Sequence, residues 1–160
     1  MIFLTVGSQF PFDRLVKAVD KAVETVGITE PIFAQIGKSS YQPRNFESAT
    51  LMDKDLYDGY IDQASSIISH AGIGTITIAL NNDKPLLVMP RLKKYGEVVN
   101  DHQVAIAIRF DRLKHILTAC DQDDLPEKIK LLKTFVPRKR NSQAESVSRV
   151  IARFLNEISV

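Results

Sequence analysis

Short, unbroken apolar runs alternate along this chain with longer stretches in which apolar residues recur every three or four positions. The first run, Ile2–Val6, reads as a strand covered on both faces. Beyond the turn Gly7–Phe12, the residues Leu15, Val16, Val19, Ala22, Val23 and Val26 fall at helical spacing, with Asp13 placed to cap the helix and Gly27 to end it. Pro31–Gly37 is a second strand, and the polar stretch Lys38–Ala49 leads to a short third strand expected around Thr50–Met52. The pattern then predicts a helix over Lys54–Ala64, a strand over Ser65–Ala71, a helix over Gly74–Asn82 despite its β-branched residues, and a strand over Pro85–Pro90. After the loop Arg91–Val99, Val104, Ile106, Ala107, Ile108 and Phe110 predict a largely buried helix within Asn100–Phe110. His115–Ala119 reads as a short last strand. Two helices follow, near Leu125–Phe135 and Ala144–Glu157, the second carrying an apolar stripe of Val147, Val150, Ile151, Phe154, Leu155 and Ile158. Strand–helix alternation of this kind predicts an α/β domain, a parallel sheet with helices on both faces.

Composition narrows this reading only slightly. The chain has 160 residues, enough for one compact domain over 1–160, and neither a repeat nor a linker divides it. A net charge of +2 gives no footprint of a nucleic-acid partner. The single Cys120 excludes an intrachain disulfide and fits a reducing, cytoplasmic setting. No apolar run approaches the roughly 20 residues of a membrane-spanning helix, and Met1–Gln9 lacks the character of a signal peptide. The basic patches Arg91–Lys94 and Arg138–Arg140 are expected as solvated surface, and they would also suit an anionic membrane face.

Candidate chemistry gathers where an open parallel sheet binds ligands, at the carboxyl ends of its strands. Three clusters fall there: Gly7, Ser8 and Gln9 after the first strand; His70, Ala71, Gly72, Ile73, Gly74 and Thr75 after the fourth; and Asn100, Asp101, His102 and Gln103 after the fifth. In the second cluster, Gly72 and Gly74 permit close backbone approach, and the following helix offers unpaired N–H groups and a positive dipole end. Thr75 adds a hydroxyl and His70 a ring donor, so a pyrophosphate is the expected anion. The bland alternative is a tight turn with glycine for packing and His70 hydrogen-bonded beneath it. Asn100–Gln103 places four polar side chains around a first helical turn, suited to sugar hydroxyls; helix capping accounts for Asn100 or Asp101 alone. Neither a dinucleotide GxGxxG nor a P-loop is present, because Thr77 stands where the third glycine would be. No metal-ligand spacing links His70, Asp101 and His102. No nucleophile–base pair stands together; Asp13 is the nearest acid to Gly7–Gln9.

Five segments in order, Phe3–Asp20, Ile32–Gly37, Ser69–Leu80, Lys84–Arg91 and Tyr95–Ala107, make the chain resemble the C-terminal, donor-binding half of the glycosyltransferase family 28 enzymes over almost its whole length. Within that family it is similar to the small PssE/Alg13-like subunits of two-component glycosyltransferases. The resemblance implies a Rossmann-like domain, the C-terminal half of a GT-B glycosyltransferase. It implies a UDP-sugar as donor substrate and no resident cofactor. The His70–Thr75 loop would hold the diphosphate, with His70 stabilising it as it leaves; Asn100–Gln103 would reach the sugar or ribose, and Gly7–Gln9 would face the cleft. Uracil would lie near Leu51–Lys54. Many members carry HAGxGTxxE, whose glutamate grips the ribose; Ile78 stands there, so ribose recognition would come from Glu97 or Asp101, or be weaker. The implied activity is inverting hexosyl transfer to a polyprenyl-diphosphate-linked sugar in exopolysaccharide or capsule biosynthesis. The implied partner is a membrane-anchored PssD/Alg14-like acceptor-binding subunit that supplies the general base, and the chain, containing one half of the enzyme, would sit at the inner membrane face through it. The alternative is a homodimeric nucleotide-binding regulatory module or a scaffold without transferase activity.

Overall fold

The computed structural model describes residues 1–139. The helix expected near Ala144–Glu157, its apolar stripe and Arg140 lie outside the described residues. Strands β1 (Ile2–Thr5), β2 (Ile32–Gln35), β3 (Glu47–Ala49), β4 (Ser66–His70), β5 (Leu86–Met89) and β6 (Leu117–Thr118) form one sheet in the order β3-β2-β1-β4-β5-β6. Every pairing is parallel. Helices α1 (Asp13–Val26), α2 (Lys54–Gln63), α3 (Ile73–Asn81), α4 (His102–Arg112) and α5 (Leu125–Leu132) connect and cover it.

The period of two along the strands decides which side chain meets which helix. Ile2 and Leu4 point with Ile68, Leu87 and Met89 into the core under α1 and α5. Phe3 points the other way with Ile67, Leu86 and Val88, toward Ile61 of α2, Ile76 and Ala79 of α3, and Ala107 of α4. Both faces are covered, which is why these strands are apolar without interruption. The chain runs outward from β1 to β3, then returns to place β4 on the opposite side of β1. That reversal puts a topological switch point, and a crevice, between the ends of β1 and β4.

Three local expectations need correction. The third strand is Glu47–Ala49 rather than Thr50–Met52, because Phe33, Ala34 and Gln35 pair with Glu47, Ser48 and Ala49. Leu51 and Met52 instead leave the sheet toward α2, whose N-terminus Asp53 caps by accepting from Leu56 N–H at 2.8 Å. Helix α4 is not largely buried: only Gln103 and Ala107 are buried along it, and Ile108 is exposed, since it packs by a single stripe. Asp13 is the first residue of α1 and caps nothing. Its carboxylate accepts instead from Ser40 N–H, Ser40 Oγ–H and Tyr41 N–H, tying the 38–46 loop to the helix. Burial would raise the Asp13 pKa, but these hydrogen bonds outweigh it and hold the group below its usual value.

Candidate functional site

The β1–α1 and β4–α3 loops meet at the switch point. Gly7 adopts φ +75°, a conformation that suits glycine, and a Cβ there would lie 3.3 Å from His70 Cε1. Gly72 has φ −77°, open to any residue. Its constraint is steric, because a Cβ would sit 2.3 Å from His70 Nε2. The imidazole is thus held between two glycines, and the missing side chain of Gly72 makes room first for His70. Gly74 is exposed and a Cβ on it would meet nothing within 4 Å, so its backbone stands open. Helix α3 begins at Ile73, directly after Gly72, with no side-chain cap, and its first internal bond runs from Ile76 N–H to the Gly72 carbonyl. The amides of Ile73, Gly74 and Thr75 therefore have no intrahelical partner and point out of the helix start, where the dipole is positive. His70 is neutral at pH 7: burial, with the Arg91 cation beside it, lowers its pKa to about 4.

Two buried polar residues that the sequence reading passed over hold these loops in place. Gln35, at the end of β2, accepts from Thr5 Oγ1–H at 2.7 Å and Gly7 N–H at 3.2 Å, and donates to the Gly7 and Thr50 carbonyls. One amide thereby joins the Gly7 loop to the loop after β3. Arg91, expected on the surface with Leu92–Lys94, is only 3% exposed. Its Nη2 donates to the carbonyls of Val6 at 2.6 Å and Phe10 at 2.9 Å, spanning the ends of the Gly7–Gln9 loop. The guanidinium also faces the rings of Phe10 and Phe12. That geometry turns a basic surface motif into an internal brace; Lys93 and Lys94 remain exposed. Of Arg138–Arg140, the described Arg138 and Lys139 are exposed.

The third cluster divides by role. Gln103 is buried and its Oε1 accepts from Arg91 N–H, which fixes the amide's orientation. Asn100 Oδ1 accepts from His102 N–H at 3.2 Å and contacts His102 Nδ1, so Asn100 serves the helix start. Asp101 makes no cap bond and accepts from Lys93 N–H at 2.7 Å. Glu97, one expected source of a ribose contact, is buried in a two-pronged ion pair: Arg14 Nε and Nη2 each donate to it at 2.8 Å, and Leu92 N–H donates to Oε2. Both its oxygens are engaged. Ile78 packs against the core between α2, α3 and α4, which accounts for an apolar residue there. Ser8 and Gln9 are exposed at the mouth, whereas Ala71 is buried beneath it.

A cavity of about 340 Å³ opens beside this junction, lined by Thr5, Gly7, Gln35, Leu51, Met52 and Tyr57. It lies where the strands end and the glycine loops begin. A larger groove of about 500 Å³ between α1 and α5, lined by Lys17, Lys21 and Lys130 among others, lies on the flank of the sheet. No glycine lines it, and the α5 start at its edge carries Asp123, Pro126 and Glu127, two acids and a residue without an N–H, so volume alone does not mark the site. Among the described residues, no three His, Cys, Asp or Glu side chains gather as a metal site, and no helix is long and apolar enough to cross a membrane.

Comparison with known proteins bears on this geometry. Residues 1–155 match the family described as the glycosyltransferase family 28 C-terminal domain. The UDP-N-acetylglucosamine transferase subunit ALG13 of Homo sapiens is 33% identical over 125 residues, covering 72% of this chain and 10% of that protein. Its Mus musculus counterpart is 31% identical over 141 residues, covering 81% of this chain and 12% of that protein. The chain thus spans about a tenth of the length of the curated relatives it matches. Among solved structures, that of ALG13 in solution superposes with a TM-score of 0.62 at 19% identity, covering 93% of both chains. The MurG of Acinetobacter baumannii superposes with a TM-score of 0.55 at 23% identity, covering 82% of this chain and 39% of MurG. At these identities the structures establish a shared fold, the Rossmann-like half of a GT-B glycosyltransferase. With a family match over nearly its whole length on that fold, the chain belongs to the glycosyltransferase family 28 C-terminal domain family.

Proposed function

We propose that this chain is the donor-binding subunit of a two-component inverting glycosyltransferase that uses a UDP-sugar. The observation that carries the reading is the junction at the switch point: a histidine between Gly7 and Gly72, followed directly by three unpartnered amides at the start of α3. The diphosphate of the donor binds to His70 and the Ile73–Thr75 amides, and the base enters the cavity lined by Leu51, Met52 and Tyr57. Gln103, its oxygen already engaged by Arg91, presents its NH₂ end to the sugar. With Glu97 paired to Arg14, the ribose contact falls to Asp101 and to backbone around the cavity.

In the reaction, the acceptor hydroxyl oxygen bonds to the anomeric carbon from the face opposite the diphosphate, and the carbon–oxygen bond to UDP breaks. The acceptor's proton passes to a base on the partner subunit, and the electron pair leaves with UDP. The negative charge that develops on the leaving oxygen is met by donors that are already oriented. The acceptor is a polyprenyl-diphosphate-linked sugar of exopolysaccharide or capsule synthesis, and the partner is a membrane-anchored PssD/Alg14-like chain through which this one reaches the membrane. Exposed apolar side chains around the mouth, Phe10, Leu51, Ile73, Tyr95 and Val99, support a second half closing over this rim. Transfer assays with the purified chain and UDP-sugar, with and without the membrane partner, test the reading. Activity only with the partner is expected. A stable homodimer that binds nucleotide but never supports transfer would replace it with a regulatory module.

A further inference from the structure

Behind the diphosphate loop lies a hydroxyl with no assigned role. Ser69, at the end of β4, is fully buried. Its Oγ lies 2.6 Å from the Thr5 carbonyl and 3.1 Å from His70 Nδ1. A serine hydroxyl carries one proton. The carbonyl accepts and has none to give, so the short contact commits the serine proton to Thr5. Toward His70, Ser69 then offers only lone pairs, and the 3.1 Å contact is a hydrogen bond only when Nδ1 carries the ring proton. In a neutral imidazole so arranged, Nε2 is bare. Nε2 is the nitrogen packed against Gly72, the residue that leads into α3. The resting ring therefore turns an acceptor, not a donor, toward the place where a diphosphate would sit.

We propose that Ser69 is a positioning residue that locks His70 in its Nδ1–H form, so that the site takes up one proton from solvent, onto Nε2, when it binds the diphosphate of a nucleotide. The inference rests on the diphosphate reading of the loop. The alternative, rotating the Ser69 proton onto Nδ1, breaks the buried bond to Thr5. The groups facing the ring are the Arg91 cation at the end of β5, the Thr5 carbonyl of β1, Gly7 of the following loop, and the dipole end of α3. Arg91 and burial keep the empty site's imidazole neutral; a diphosphate opposes both, since its charge favours the imidazolium and offsets the arginine. When UDP leaves, the proton returns to solvent and the site resets.

Calorimetric titration of UDP into the full chain, repeated at pH 7.5 in buffers of different ionisation enthalpy, counts the protons. This pH lies above the second phosphate ionisation of about 6, so uptake reports the protein. Uptake near one proton per UDP is expected, with affinity falling roughly tenfold per pH unit above that. Ser69→Ala removes one acceptor from Nδ1 and leaves the Thr5 carbonyl as the group beside it, and is expected to lower the uptake and flatten the pH profile; Ser69→Thr, which retains the hydroxyl, is expected to restore both. Nitrogen-15 imidazole spectra of the free wild-type chain, which need no variant, are expected to show Nδ1–H. An Nε2–H signature there, UDP binding without proton uptake, or unchanged uptake in Ser69→Ala would each overturn the proposal while leaving the diphosphate site standing. Absence of UDP binding would remove both.

Discussion

At the scale of single residues, the site is governed by what stands against His70. Because φ of Gly72 is −77°, alanine suits the backbone there, yet its Cβ would meet Nε2 at 2.3 Å. Gly72→Ala is therefore expected to keep the fold while costing about 1–3 kcal/mol of stability as the ring is pushed from its place. It displaces the ring and removes a charge-assisted contact of about 1.5–3 kcal/mol, so UDP affinity measured by calorimetry falls roughly ten- to a hundredfold. His70→Ala should weaken UDP-sugar use to a similar degree; full transferase activity of that variant with its partner would sink the role given to His70. The same residue shapes stability in acid. Its folded pKa, about 4, lies below the ordinary 6.5, so the unfolded chain binds the proton more readily. The penalty is absent above pH 6.5, grows as pH falls through that value, and is complete below about 4. Urea titrations of the free chain should lose on the order of 3 kcal/mol across this window, a loss that His70→Gln suppresses.

At the scale of elements, helix α1 carries three acids that fasten the 38–46 loop, Asp13, Asp20 and Glu24. Asp20 is buried and accepts from the Tyr41 hydroxyl at 2.6 Å, Arg44 N–H at 3.1 Å and Asn45 N–H at 2.9 Å. Burial would raise its pKa, but these donors outweigh it and lower the value from 3.8. Its contribution is thus present above that pH and lost as pH falls through the lower folded value. Asp20→Ala leaves three donors without their acceptor, and thermal unfolding at neutral pH should show a loss of at least about 1–3 kcal/mol. The pairing of Arg14 with Glu97 does the same for the 91–99 loop: side-chain exposures of 11% and 9% leave the pair largely dry. Glu97→Ala, which strands a buried guanidinium, is expected to cost about 3–5 kcal/mol, whereas an exposed carboxylate awaiting ribose would be replaced at almost no cost.

These elements also show where the sequence is legible. The apolar runs of β1, β4 and β5 are readable because a strand buried on both faces needs apolar residues throughout, and Gly27 at φ +65° ends α1 where expected. The clusters after β1, β4 and β5 are readable because a parallel sheet brings all strand ends to one rim. Gln35 and Arg91 are not readable: a glutamine ending a strand and an arginine before two lysines have the local pattern of surface. Only the sheet order, which places β2 and β5 on either side of β1 and β4, turns both inward on the Gly7 loop. The third strand is misplaced for a similar reason. A three-residue edge strand reading Glu-Ser-Ala has no apolar period, and its position follows from pairing with β2.

At the scale of the whole molecule, one rim of the sheet is the proposed donor site and the proposed acceptor chemistry belongs to another chain. On that proposal a UDP-sugar binds at the β1–β4 switch point and not in the larger groove between α1 and α5. Titrating UDP into the isotopically labelled chain and following backbone amide resonances tests this directly. Saturable shifts are expected at Gly7, at His70–Thr75, around Leu51–Tyr57 and at Gln103, with Lys17, Lys21 and Lys130 unmoved. Shifts centred on the α1–α5 groove, or none at millimolar nucleotide with the fold intact, would contradict it.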